Sequence, residues 1–192
     1  MKIEVLHSKG NEMEFVLKDA TVAFANAIRR MGMSQVPVFA IDSVTFYENN
    51  SAVFDEYIAN RLGLIPLTSE GAHKADEEVL LSLGAEGPKM VHSKELKSST
   101  PKVKCVYDNI PIIKLGEDRG IRLEAKAKIG RGTEHAKFQA GIISYGYESN
   151  GKKNFKFMVE SFGQVSPKTM LLKAAEGLKE KCDELNSQLK DV

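Results

Sequence analysis

Apolar residues recur along this chain at two different periods, and the changes from one to the other mark out its elements. In residues 2–17, Ile3 and Val5 alternate with polar neighbours, Ser8-Lys9-Gly10-Asn11 supplies a turn, and Met13, Phe15 and Leu17 alternate again, which predicts a β-hairpin. Ala20, Phe24, Ala27, Ile28 and Met31 then fall at helical spacing. Asp19 or Thr21 can accept a hydrogen bond from a first-turn amide of that helix, and Gly32 marks its end. From Val36 to Tyr47 the composition is β-branched and aromatic, but the apolar positions change phase at Asp42-Ser43, as a bulge or a passage between two sheets requires. A second helix has Ser51 as N-cap, Asp55 and Glu56 at the positive end of its dipole, an apolar stripe of Phe54, Ile58 and Leu62, and Gly63 as a left-handed stop. Leu64-Ile65-Pro66-Leu67 runs extended, because a proline restricts the residue before it and cannot donate to a ladder.

Periodicity weakens from Thr68 to Leu115, where turn chemistry dominates and short strands are expected only at 79–83 and 90–92. Residues 121–130 give the clearest strand, with Ile121, Leu123, Ala125, Ala127 and Ile129 on one face and charged residues on the other. After the glycine-bearing loop Gly130-Arg131-Gly132, the dipeptide Asn150-Gly151 predicts a hairpin between strands at 142–148 and 154–160. The last helix has Ser166 as cap and Pro167 at its first position, and it covers 168–190. Along it Leu171, Ala175, Leu178, Cys182, Leu185 and Leu189 step by alternating fours and threes, a heptad-like seam. At about 1.5 Å per residue that seam is roughly 27 Å long. A chain of 192 residues has little core left to cover it, so a partner helix is the expected cover.

Composition narrows the function classes. Hydrophobic residues make up 42% of the chain, enough for a packed core, and 27 basic against 26 acidic residues leave a net charge of +1. No overall field therefore draws the molecule to nucleic acid or to a membrane. Cys105 and Cys182 stand far apart, which excludes a CxxC metal site and a disulfide framework and predicts a reducing compartment. No apolar run reaches the roughly 18 residues of a membrane span. Met-Lys-Ile-Glu-Val opens as a charged strand rather than a signal peptide, so a cytoplasmic location is expected.

Candidate chemistry is sparse. Arg29-Arg30 suits phosphate binding, a structural ion pair or a subunit contact, and the absence of interleaved aromatics weighs against nucleic acid. Asp55-Glu56 resembles an acid–base pair in composition only, since adjacent helical side chains point about 100° apart. The histidines, at 7, 73, 92 and 135, are dispersed and lack metal-ligand spacing. His135, beside the glycine loop and Lys137, is the remaining candidate for a small-ligand or active-site loop, but the loop lacks the Lys-Ser/Thr ending and the helix of a P-loop. The lysines at 126, 128, 137, 152, 153 and 156 read as the solvated face of a sheet.

Three stretches together carry a resemblance: Asn26-Ala27-Ile28-Arg29-Arg30, Ala40-Ile41-Asp42-Ser43-Val44, and Asp55-Glu56-Tyr57-Ile58-Ala59-Asn60-Arg61-Leu62-Gly63-Leu64-Ile65-Pro66-Leu67. In this order and spacing they resemble the assembly-subunit family of DNA-directed RNA polymerase, which comprises the archaeal D polypeptide, the third-largest eukaryotic subunit and, more distantly, the amino-terminal domain of bacterial alpha. Gly130 to Phe138 is similar to the family's glycine loop and His-Ala-Lys-Trp motif, with Phe138 in place of Trp.

The resemblance implies an α+β fold in two parts. Residues 1–38 and 147–192 would form a discontinuous dimerisation domain, an antiparallel sheet with two helices. Residues 39–146 would form an inserted, mainly β domain. It implies a non-catalytic scaffold subunit of a nucleotidyltransferase, with no catalytic residue, metal or cofactor in this chain. Implied partners are the smaller subunit L, the second-largest subunit, and small subunits N and P. The dimer seam would comprise Phe24, Ile28, Met31, Leu171, Ala175, Leu178, Cys182, Leu185 and Leu189. Arg29, Arg30, Asp55, Glu56, Arg61, His135 and Lys137 would meet large subunits or the other domain. Some relatives carry a cysteine cluster for zinc or an iron–sulfur centre in the insert; with Cys105 alone there, neither is expected. The alternative reading is a stand-alone enzyme or small-ligand binder using the His135 loop.

Overall fold

The computed structural model describes residues 1–70, 78–148 and 153–190. They divide into two compact units: Met1–Pro37 with Arg131–Val192, and Val38–Gly130.

The first unit is built on a four-stranded antiparallel sheet in the order β1 (Lys2–Lys9), β2 (Glu12–Lys18), β10 (Phe155–Ser161), β9 (Gly141–Tyr147). Its two sequence-distant halves meet where β2 pairs with β10, Phe15 opposite Phe157 with rings stacked at 4.9 Å. One face of this sheet carries Phe15, Leu17, Ile143, Phe155, Phe157 and Val159, all buried. Helices α1 (Val22–Ser34) and α3 (Pro167–Lys190) lie on that face and against each other. α1 approaches β9 closely at Gly32, where an added Cβ would stand 2.2 Å from Ile143 Cδ1 and displace the end of that side chain. Gly32 therefore lies inside α1, which runs on to Ser34, instead of ending it. Thr21 is the cap, accepting from the Phe24 amide at 3.2 Å, whereas Asp19 sits at a positive φ of 54°.

The second unit centres on β8 (Gly120–Gly130), which pairs on one side with β3 (Val38–Asn49) and on the other with β4 (Glu78–Glu86); β6 (Lys97–Ser98) extends the sheet. Alternation in β8 is as its sequence implies, with Ile121, Leu123, Ala125 and Ala127 buried. The phase change in β3 is a bulge at Asp42, since the register to β8 slips between Ile41 and Ser43. β5 (Lys89–His92) and β7 (Pro111–Leu115) form a separate pair, so the turn-rich stretch holds more strand than its periodicity implies. Helix α2 (Asp55–Gly63) packs on β3 and β7 through fully buried Ile58 and Leu62.

Several expectations need correction. Phe54 does not belong to the buried stripe of α2; it is the N-cap residue and 82% exposed. Ser51 does not cap that helix, which starts only after Phe54; its hydroxyl oxygen accepts from the Val53 amide at 3.2 Å and its proton goes to Asn49 Oδ1 at 2.6 Å. Gly63 is the last helical residue, followed by Leu64 in right-handed geometry, and is not a left-handed stop. The second boundary falls at Gly130/Arg131 instead of 146/147, because β9 is hydrogen-bonded to β10 and its buried Ile143 serves the first core. The Asn150-Gly151 turn, His73 and Lys152 lie outside the described residues.

Candidate partner-binding surface

Helix α3 buries only Pro167, Met170 and Ala174, and Gly177 passes close to α1, where an added Cβ would stand 3.2 Å from Met31 Cε. Small residues thus let the chain use one stripe of α3 internally. The seam lies beside that stripe. Leu171 and Leu178 are half-buried, Ala175 and Cys182 are exposed, and Leu185 and Leu189 are 57% and 64% exposed. From Lys179 to Lys190 every residue is exposed. On α1, Phe24 and Ile28 are half-buried, but Met31 is buried within the chain and is not available to a partner.

A second uncovered strip adjoins this unit's sheet. Ile3 pairs with Leu17 and Val5 with Phe15, so both share the helix-bearing face, yet both are more than half exposed. Periodicity flagged these two residues as strand but could not show that they stay open to water. The opposite face is laced with cross-strand ion pairs, Lys18–Glu4 at 2.5 Å and Lys156–Glu14 at 2.8 Å. Hydrogen bonding to Lys156 holds the Glu14 carboxyl below its ordinary range. In the second unit Lys126 and Lys128 likewise pair with Glu78 and Asp42, and Lys153 is exposed.

The charged candidates do not converge on one site. Arg29 turns back along its own helix, donating from Nε and Nη2 to Asn26 Oδ1 at 3.2 and 3.1 Å; Arg30 is exposed. Asp55 accepts from Asn49 Nδ2 at 2.6 Å, and Glu56 is exposed. Arg61 is half-buried, stacks 5.9 Å over Tyr57, and donates from Nη2 to the Pro111 carbonyl, tying α2 to β7.

The His135 loop is occupied structurally. His135 Nδ1 accepts from the Lys137 amide at 3.1 Å, capping a short 3-10 turn, and Lys137 Nζ lies 5.2 Å over the Phe138 ring. The Thr133 amide donates to the Ser34 carbonyl, and the Arg131 amide to Glu134 Oε1, so two amides an anion would need are already used. Gly132 is required because a Cβ there would be 2.7 Å from the Met33 carbonyl oxygen. Gly132 thus lets the loop fasten to the end of α1, and the loop makes no phosphate cradle.

Among the described residues no group of three or more His, Cys, Asp or Glu could hold a metal ion, and no helix is long and apolar enough to cross a membrane. Cys105 is buried, and burial, with Asp108 adding, pushes its thiol up to about 11.

Residues 41–145 match the family described as the RNA polymerase Rpb3/RpoA insert domain. The chain is 48% identical over 154 residues to the DNA-directed RNA polymerase subunit Rpo3 of Pyrococcus furiosus, covering 77% of this chain and 59% of that protein. It is 45% identical over 154 residues to the Rpo3 of Thermococcus kodakarensis, covering 77% of this chain and 60% of that protein. Against the Rpo3 of Methanocaldococcus jannaschii it is 41% identical over 184 residues, 95% of this chain and 93% of that protein. The match thus spans about three-fifths of the Pyrococcus and Thermococcus relatives and nearly all of the Methanocaldococcus one.

Proposed function

The chain belongs to the RNA polymerase Rpb3/RpoA insert-domain family, and from that premise we propose that it is a non-catalytic assembly subunit of DNA-directed RNA polymerase. It acts in the cytoplasm as one half of a heterodimer with a smaller alpha-like subunit, subunit L. The two-segment unit is the dimerisation domain. The Val38–Gly130 unit is the insert, which meets the second-largest subunit, and small subunits N and P complete the contacts.

The observation that carries this reading is the exposed leucine seam of α3, with Leu185 and Leu189 open to water on the half of the helix that lies beyond its last buried residue, Ala174. An apolar seam on an otherwise charged helix is stable in water only at a free-energy penalty that a covering helix removes. Phe24 and Ile28 on α1, with Ile3 and Val5 on β1, extend the apolar surface offered by this unit. Function follows from rigidity: two subunits that bury these faces form an ordered platform, so the large subunits associate without first ordering their own scaffold. Nucleotidyl transfer belongs to those large subunits.

A tagged chain purified from its native host tests the reading. Recovery of both large polymerase subunits and a smaller alpha-like partner is expected. Recovery of a monomer free of polymerase subunits would overturn it. Light scattering on the isolated chain separates the heterodimer from a self-paired scaffold of the bacterial alpha kind.

A further inference from the structure

Helix α2 turns outward an aromatic and carboxylate face that the chain leaves uncovered. Phe54, at 82%, is the most exposed large apolar side chain among the described residues, and Tyr57 and Leu64 are 58% and 60% exposed. Phe54 stands at the N-cap of the helix, Tyr57 in its first turn and Leu64 just past its last residue. Arg61 sets its guanidinium 5.9 Å over the Tyr57 ring while Nη2 donates to the Pro111 carbonyl, so the cation is held at the Tyr57 end, away from the carboxylates of the first turn. Beside Phe54 opens a recess of about 380 Å³ lined by Asn49, Ser51, Val53, Asp55 and Glu56.

The recess is organised by one side chain. Asn49 accepts from the Ser51 amide at 3.1 Å and donates to the Val53 carbonyl at 2.9 Å and to Asp55 Oδ1 at 2.6 Å. That holds the loop so that Asp55 and Glu56 remain exposed in the first turn, where the helix dipole favours carboxylates. Glu48, on the strand before the loop, accepts from Asn50 Nδ2 at 2.7 Å and does not line the recess. Arg119 reaches the same loop, but it donates to the Asn50 carbonyl and to no carboxylate there.

We propose that this face docks a polypeptide segment of another polymerase subunit that presents a lysine or arginine beside an apolar side chain. The apolar group covers Phe54 and Tyr57, and the cation enters the recess against Asp55 and Glu56. Charge complementarity selects this occupant: the two exposed carboxylates of the recess, Asp55 and Glu56, repel nucleic-acid phosphates and attract a basic side chain. An exposed aromatic anchor next to a polar recess is the arrangement that concentrates binding energy in few residues. The inference rests on the assembly-subunit reading and adds to it a place and a chemistry.

Tagged full-length chain is expressed in the native host as wild type, as Phe54→Ser, and as Asp55→Asn with Glu56→Gln, and each recovered polymerase subunit is quantified at low and high salt. Phe54→Ser is expected to lower recovery of a large subunit at least tenfold while the smaller dimer partner is recovered as before. The carboxylate variant is expected to lower the same recovery at low salt and flatten its salt dependence. Wild-type levels of every subunit from both variants would overturn the docking site alone. A wild-type chain that recovers no polymerase subunit would overturn the assembly reading, and this inference with it. Should Phe54→Ser lower the melting temperature, the carboxylate variant alone decides.

Discussion

Replacing Leu185 and Leu189 together by alanine separates a seam made for a partner from one that stabilises the chain itself. Both side chains are mostly exposed, at 57% and 64%, so the substitutions remove atoms that water already reaches. Surface changes of this kind shift stability by about 0.5 kcal/mol or less, and leucine and alanine are both strong helix formers. The melting temperature of the isolated chain is therefore expected to stay within about 2 °C. Association responds differently. Each truncation deletes three carbons, worth roughly 2.4 kcal/mol if wholly transferred from water. Scaled by the exposures of 57% and 64%, about 1.4 and 1.5 kcal/mol remain to be gained on docking. The pair is thus worth about 3 kcal/mol, which weakens Kd about 100- to 200-fold. Calorimetric titration of the full chain with separately purified smaller alpha-like subunit, checked by light scattering, measures this. An unchanged Kd would refute the seam as an interface, and a fall in melting temperature of about 6 °C or more would show the leucines packed within the chain.

Three further outcomes test the structural roles assigned above. Gly132→Ala would place a Cβ 2.7 Å from the Met33 carbonyl oxygen and 3.2 Å from Ser34 Cα, backbone atoms that cannot swing aside. A loss of about 1–3 kcal/mol is expected in urea unfolding, and an unchanged midpoint would show that the loop is not fastened to α1. At pH 8 a thiol reagent should label exposed Cys182 and spare buried Cys105, with both reacting in denaturant. Because the folded chain holds the Cys105 proton up to about 11, against an ordinary value of 9.0, stability should fall as pH rises between those values. Cys105→Ala should remove that part of the slope, and an identical slope in the variant would refute the assignment.

What could be read from the sequence was whatever depends on neighbours along the chain. Alternation in β8, the hairpin of β1 and β2 and the long helix α3 are local patterns that the structure has; of the two caps the sequence offered, Asp19 or Thr21, it uses Thr21, and of a bulge or a passage between sheets at Asp42-Ser43 it has the bulge. Local rules failed where a distant or competing group intervened. The Val53 amide takes the lone pair of Ser51, the candidate cap of α2, in a loop that holds back the helix start to Asp55. Ile143 makes Gly32 a packing residue where the sequence suggested a stop.

Only tertiary structure decided which apolar residues the chain covers for itself. Periodicity marks Phe54, Ile58 and Leu62 alike, yet β3 and β7 cover the last two and leave the first in water. It also marks Met31 and Leu185 alike, yet Gly177 lets α3 approach and bury Met31, while Leu185 stays open to water. The physical reason is that burial depends on what stands opposite a side chain. Across a sheet joined by residues from the two ends of the chain, such as Phe15 and Phe157, that neighbour is set by register and packing and not by the chain's own period.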